Sequence, residues 1–174
     1  MSKLKSPKQL DQGLVINVPI KKAWHIFNDL SLRPKWTVDV QKINYSNQMT
    51  TVGEVAITDC IVDGKEGTLT TRCVDLNPPY PGEFIVEKET FGFSKMLMDM
   101  SFAVDFKALG KNKTRVTMQS HYRPKNFLLK LLNGFIKKKM GKEVDLMMNG
   151  LKNFMETGHV NILNPINRQK TMTL

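Results

Sequence analysis

The sequence predicts an α+β domain in which a sheet wraps around a helix, and three observations carry that prediction. Near the front, NVPIKKAWHIFNDLSLRPKW (residues 17–36) contains a short amphipathic helix and two tryptophans. Behind it come six to seven runs of alternating apolar and polar residues, punctuated by glycine and proline. At the back, residues 124–158 change to helical spacing over a long apolar and basic stretch. A sheet folded around a helix can enclose a cavity, so binding of an apolar small molecule is the leading functional expectation.

Taken in order, residues 1–9 form a basic arm carrying Lys3, Lys5 and Lys8, residues 10–158 a single domain, and residues 159–174 a tail. QLDQGLVINV alternates as a first strand. Pro19 fits the first turn of a helix, where the missing N–H costs nothing, and Ile20, Ala23, Trp24, Phe27 and Leu30 then line one face. Pro34 in SLRPKW predicts a second short helix or a turn before Trp36. VQKINYS reads as a strand with one wet face, and VGEVAITDCIV and GTLTTRCVDL read as a hairpin across DGKE. After NPPYPG, the runs EFIVEKETFG, KMLMDMSFAVDFKAL and TRVTMQSHYR make a second meander. In it Met98, Met100, Phe102, Val104 and Phe106 share a face with Val116, Met118, Ser120 and Tyr122, directed inward.

From Pro124 onward, Val144, Met147, Met148, Leu151, Phe154 and Met155 form a helical stripe suited to packing on the sheet. At about 100° per residue, Phe127, Leu128, Leu131, Leu132 and Phe135 centre roughly half a turn away from it. A break between Gly134 and Gly141 is therefore expected, with two helical pieces presenting different faces.

Composition bounds the rest. The 174 residues suffice for one domain with a substantial core, and 41% hydrophobic against 24% charged residues is globular. No apolar run approaches the roughly 20 residues needed to cross a bilayer. MSKLKSPKQL lacks an apolar stretch behind its basic residues, so a cytoplasmic location is expected. Cys60 and Cys73 read as buried or half-buried free thiols. A cross-hairpin disulfide requires a turn centred near Glu66 and Gly67, and Asp63-Gly64 is an equally good turn.

The front helix ending in Asp, a tryptophan beyond a proline, the strands and the final helix together resemble the START-like (SRPBCC) helix-grip superfamily. That superfamily includes polyketide cyclase/dehydrase-like and lipid-transport proteins and the birch pollen allergen family. The matching positions are Pro19, Trp24, Phe27, Asp29, Trp36, Val40, Val52 and Gly53. The resemblance implies a curved antiparallel sheet gripping the C-terminal helix, a ligand cavity between them, and two short helices closing one end. It is specific for fold and not for chemistry.

Eleven methionines, several on inner faces, offer an adaptable lining for irregular ligands or simply fill gaps in the core. The expected lining is Met98, Met100, Phe102, Met118, Ser120, Tyr122, Met147 and Leu151, with Trp36 near the entrance. Arg72 is the polar anchor for a ligand carboxylate or phosphate if it faces inward, and an ordinary solvent-facing strand residue if it does not. The functional expectation is binding or transport of a hydrophobic or lipid-like molecule without catalysis. A small polyketide cyclase- or dehydratase-like enzyme is the alternative. His25, His121 and His159 have neither triad nor metal-ligand spacing, and of the possible carboxylates Asp59 and Asp99, Asp99 alternates out of phase with Met98 and Met100. No catalytic residue, metal or cofactor is assigned.

The net charge of +10 favours anionic neighbours. Much of it lies in FLLKLLNGFIKKKMGK, where Phe127, Leu131, Lys137, Lys138 and Lys139 mark a second alternative. The segment is either a membrane-docking face at residues 125–142, peripheral to an anionic surface, or a core helix whose lysines reach into water. Specific nucleic-acid recognition lacks both a motif and interleaved exposed aromatics. The oligomeric state is left open.

Overall fold

The computed structural model describes residues 4, 6–37, 39–62, 64–77 and 82–159. Its elements run β1 (Lys8–Ile16), α1 (Ile20–Asn28), a 3-10 turn at Leu30–Leu32, α2 (Arg33–Trp36), β2 (Val40–Asn44), β3 (Val55–Val62) and β4 (Lys65–Leu76). β5 (Gly82–Glu89), a 3-10 turn at Phe93–Lys95, β6 (Leu97–Gly110), β7 (Lys113–Pro124), α3 (Phe127–Leu131) and α4 (Asn133–Thr157) follow. The seven strands form one antiparallel sheet, not closed, in the order β1-β7-β6-β5-β4-β3-β2. This is the expected helix-grip arrangement of a long C-terminal helix, two short helices after the first strand, and a sheet.

Two boundaries differ from expectation. β1 begins at Lys8, inside the stretch read as an arm, because its backbone already pairs with His121. The β3–β4 hairpin closes with Val62 opposite Lys65, and Gly64 takes the positive φ (73°) that such a tight turn demands. Cys60 is thereby opposite Gly67, far along the strand from Cys73, and both cysteines are buried free thiols.

The core forms where the apolar face of α1 meets the sheet and the second half of α4. Ile16, Ala23, Phe27, Trp36, Val104, Phe106, Val116, Met118, Met148, Leu151 and Met155 belong to one buried cluster. Trp24 meets Phe106 edge-on at 5.4 Å between ring centres. The helical stripe read on α4 is the face that packs inward, and Gly158, with φ 74°, ends the helix.

The break between the two helical pieces lies at Leu132 (φ −84°, ψ 1°), earlier than the expected window, and residues 134–141 are continuous helix. The half-turn offset between the two stripes is real. No break within 134–141 is needed to bury both, because the first stripe is not buried at all: Phe127, Leu128, Leu131, Leu132 and Phe135 are exposed. Among the described residues, no helix is long and apolar enough to cross a membrane.

Candidate functional site

α1, the Leu30–Leu32 turn and α2 sit over the inner faces of β3, β4 and β5, and the space between them is lined by Phe27, Leu30, Arg33, Thr50, Glu54, Ala56, Thr71, Cys73 and Phe84. Asp29 shapes this roof. Its carboxylate accepts from the Ser31 N–H at 3.0 Å and from Gln48 Nε2 at 3.0 Å, which turns the chain from α1 into α2. Burial alone would raise the Asp29 carboxyl, but these hydrogen bonds outweigh it and hold the group below the ordinary value. Glu54 forms a wall in the same way, accepting from Ser46 N–H (2.7 Å), Asn47 N–H (3.1 Å) and Asn47 Nδ2 (2.7 Å).

Arg33, half-buried, is part of this lining. Its guanidinium carbon stands 5.6 Å from the Phe27 ring centre and 5.2 Å from that of Trp36, and these two rings are themselves stacked at 5.9 Å. The guanidinium makes no hydrogen bond or ion pair to any of the described residues. Burial pulls it down to about 10, with nearby Cys60 pushing weakly the other way, so it remains a cation at neutral pH. Burial, reinforced by Asp59 and opposed by Arg33, pushes the Cys60 thiol up to about 11. The Trp36 indole N–H is buried without a partner among the described residues.

The free volume here is small, about 10 Å³, roughly one water. Phe27 and Phe84 meet at 6.4 Å and close it, and Phe84 stacks on Phe102 at 4.8 Å. A second, open cleft of about 680 Å³ lies beneath α3, between Pro7, Gln9, Met98, Arg123, Phe127, Lys130 and Asn133.

The residues expected to line a cavity are divided. Met118, Ser120, Tyr122 and Leu151 are buried on inner faces, while Met100, Phe102 and Met147 are half-buried. Trp36, expected at an entrance, is 0% exposed, because Phe27 and Arg33 cover it. Met98, expected inside, is 36% exposed. The cause is a bulge: Phe102 is opposite Ser120 but Met98 is opposite Arg123, so β6 carries one extra residue between them, and Asp99 adopts φ 51°. Side chains beyond the bulge change faces. Arg72, the expected polar anchor, is partly exposed, with Nε 2.6 Å from Glu87 and Nη1 3.1 Å from the Gly53 carbonyl.

Sequence reasoning missed Arg33. The available signal was slight: a cation three residues before Trp36 on a proline-started turn, placing it one helical step from an aromatic ring. His121 is half-buried, with Nδ1 3.1 Å from the Ser6 carbonyl.

Known proteins agree with this architecture. A START superfamily protein from Mycobacterium smegmatis superimposes with a TM-score of 0.66 at 11% identity, over 84% of this chain and 95% of that one. A major latex-like protein from Panax ginseng gives 0.67 at 15% identity, over 86% and 97%. Norcoclaurine synthase from Thalictrum flavum, solved with dopamine and hydroxybenzaldehyde, gives 0.64 at 10% identity, over 83% and 84%. At these identities the likeness is one of fold. No curated protein matches in sequence. The sequence profile described as polyketide cyclase / dehydrase and lipid transport matches residues 9–156, and the chain belongs to that family, whose fold binds hydrophobic small molecules.

Proposed function

We propose that this protein binds a hydrophobic or lipid-like small molecule bearing an anionic group, and holds or carries it without transforming it. The observation that carries this reading is Arg33, a charged guanidinium seated on two aromatic rings with no ion-pair partner among the described residues. A half-buried cation without a partner is partly desolvated at a cost, and a ligand carboxylate or phosphate would supply the missing partner. Phe27, Leu30, Ala56, Cys73 and Phe84 offer apolar contact around it, and Thr71 a hydroxyl.

Drug-sized ligands need roughly 300 Å³ or more, so binding requires the Phe27–Phe84 contact to part. The ionisable groups at the pocket support holding over catalysis. Glu54 is kept ionised by its three donors, Arg33 even when lowered to about 10 stays a cation at neutral pH, and burial moves the Cys60 thiol further from neutrality, to about 11.

Native mass spectrometry of gently purified protein, followed by extraction, tests the reading. An acidic amphiphile retained by the wild type and lost from Arg33→Met is the expected result. Retention of the same molecule by Arg33→Met would remove Arg33 from the site. Recovery of a chemically altered molecule after incubation would favour the cyclase- or dehydratase-like alternative.

A further inference from the structure

The fold leaves one apolar face without cover, and we propose that it docks the protein onto an anionic lipid bilayer. Phe127, Leu128, Leu131, Leu132 and Phe135 are 75, 64, 67, 51 and 71% exposed, running from α3 across the break at Leu132 into the first turn of α4. Soluble monomers rarely leave so many large apolar side chains together in water. Asn126 caps α3 by accepting from the Leu129 N–H at 2.9 Å, and among the described residues α3 packs chiefly on β7 and α4, so this corner projects from the sheet.

Charge identifies the occupant. From Arg123 to Lys142 there are seven basic residues and no acid. On α4 the line through Phe135 continues, at about 100° per residue, into Lys138, Lys139, Lys142 and exposed Leu146, opposite the buried Met148, Leu151 and Met155. Lys125 and Lys130 are exposed beside the leucines. A projecting leucine- and phenylalanine-rich corner rimmed by lysine matches an interfacial helix, whose apolar residues enter the acyl boundary while its cations meet anionic headgroups. A protein partner is a poorer fit, since lysine is depleted at such interfaces and the tyrosine, tryptophan and arginine that anchor them are absent from residues 127–142. A second copy would bring the same positive charge to the contact.

The test is co-sedimentation of the full chain with phosphatidylcholine vesicles, with and without phosphatidylserine. Binding is expected only with phosphatidylserine, and it should weaken as salt is raised. Replacing Lys130, Lys138 and Lys142 by glutamine should lower partitioning by about fivefold per lysine. Phe127→Ser, Leu131→Ser and Phe135→Ser combined should lower it by more than about tenfold. Circular dichroism checks that both variants are folded. Binding that ignores phosphatidylserine, or none at all, overturns the proposal, as does a wild-type dimer that the serine variant dissociates.

Discussion

The Tyr122 hydroxyl donates to Asn133 Oδ1 at 3.1 Å, joining the end of the sheet to the start of the long helix. Asn133 Nδ2 in turn donates to Gln9 Oε1 (3.1 Å), and Gln9 Nε2 returns to the Tyr122 carbonyl (3.1 Å). This closed ring of bonds pins the first turn of α4 just after the break at Leu132. It therefore sets the direction in which α3 projects.

Tyr122→Phe should cost about 1 kcal/mol in urea unfolding, the ordinary net value of a buried hydrogen bond. Burial pushes the Tyr122 hydroxyl up from 10 to about 12. A raised folded value means that the stabilisation is complete below pH 10 and is lost as pH climbs toward 12. The phenylalanine variant should lack that part of the alkaline decline. Identical alkaline profiles for both proteins would show that Tyr122 stays neutral for another reason, or not at all.

Arg33→Met should make the ligand-free protein more stable at pH 7, by on the order of 1–2 kcal/mol. The variant replaces a desolvated cation with an apolar side chain of similar length, and the lost contact with the Phe27 and Trp36 rings offsets only part of the gain. Thermal melts of protein stripped of bound molecules provide the check. A drop in stability would mean that the guanidinium is a structural strut and not a waiting anchor.

Acid should destabilise the fold through Asp29, Glu54 and Glu89. In each, burial would raise the carboxyl, but hydrogen bonds outweigh it and hold the folded value below 3.8 for Asp29 and below 4.5 for the two glutamates. Because these values are depressed, the stabilisation is present above the unfolded values and disappears as pH falls through the folded ones. Glu54→Gln should lose about 1–2 kcal/mol at neutral pH and converge on wild type at low pH. Urea midpoints measured across the acid range decide it, and curves that stay parallel would count against the account.

Gly67→Ala should cost about 1–3 kcal/mol by overpacking. A Cβ there would stand 2.6 Å from Thr90 Oγ1 and 2.7 Å from the Phe91 ring, and Thr90 Oγ1 already accepts the Thr68 N–H at 2.8 Å. Combining it with Phe91→Ala should cost less than the sum of the two single changes. Strict additivity would place the damage elsewhere.

The elements, their order and the family were legible because the signals behind them are local. Alternation of Val104 and Phe106 or of Val116 and Met118, and the three-and-four spacing of Met148, Leu151 and Met155, each lie within one segment, and all seven side chains are buried. The placement of Met98 was not legible, since one extra residue near Asp99 reverses which way the strand's end faces, and only pairing with β7 reveals it. Arg72 went outward for a related reason, drawn to Glu87 on a neighbouring strand, while Arg33 gained its position from rings brought together by the fold.

By itself, then, the amino-acid order determined the helix-grip frame and concentrated leucine, phenylalanine and lysine within residues 127–142. Only the tertiary structure decided that this stretch faces water and that a half-buried guanidinium rests on the Phe27 and Trp36 rings. Periodicity states which residues share a face, but what that face meets depends on strand register and on contacts between distant parts of the chain.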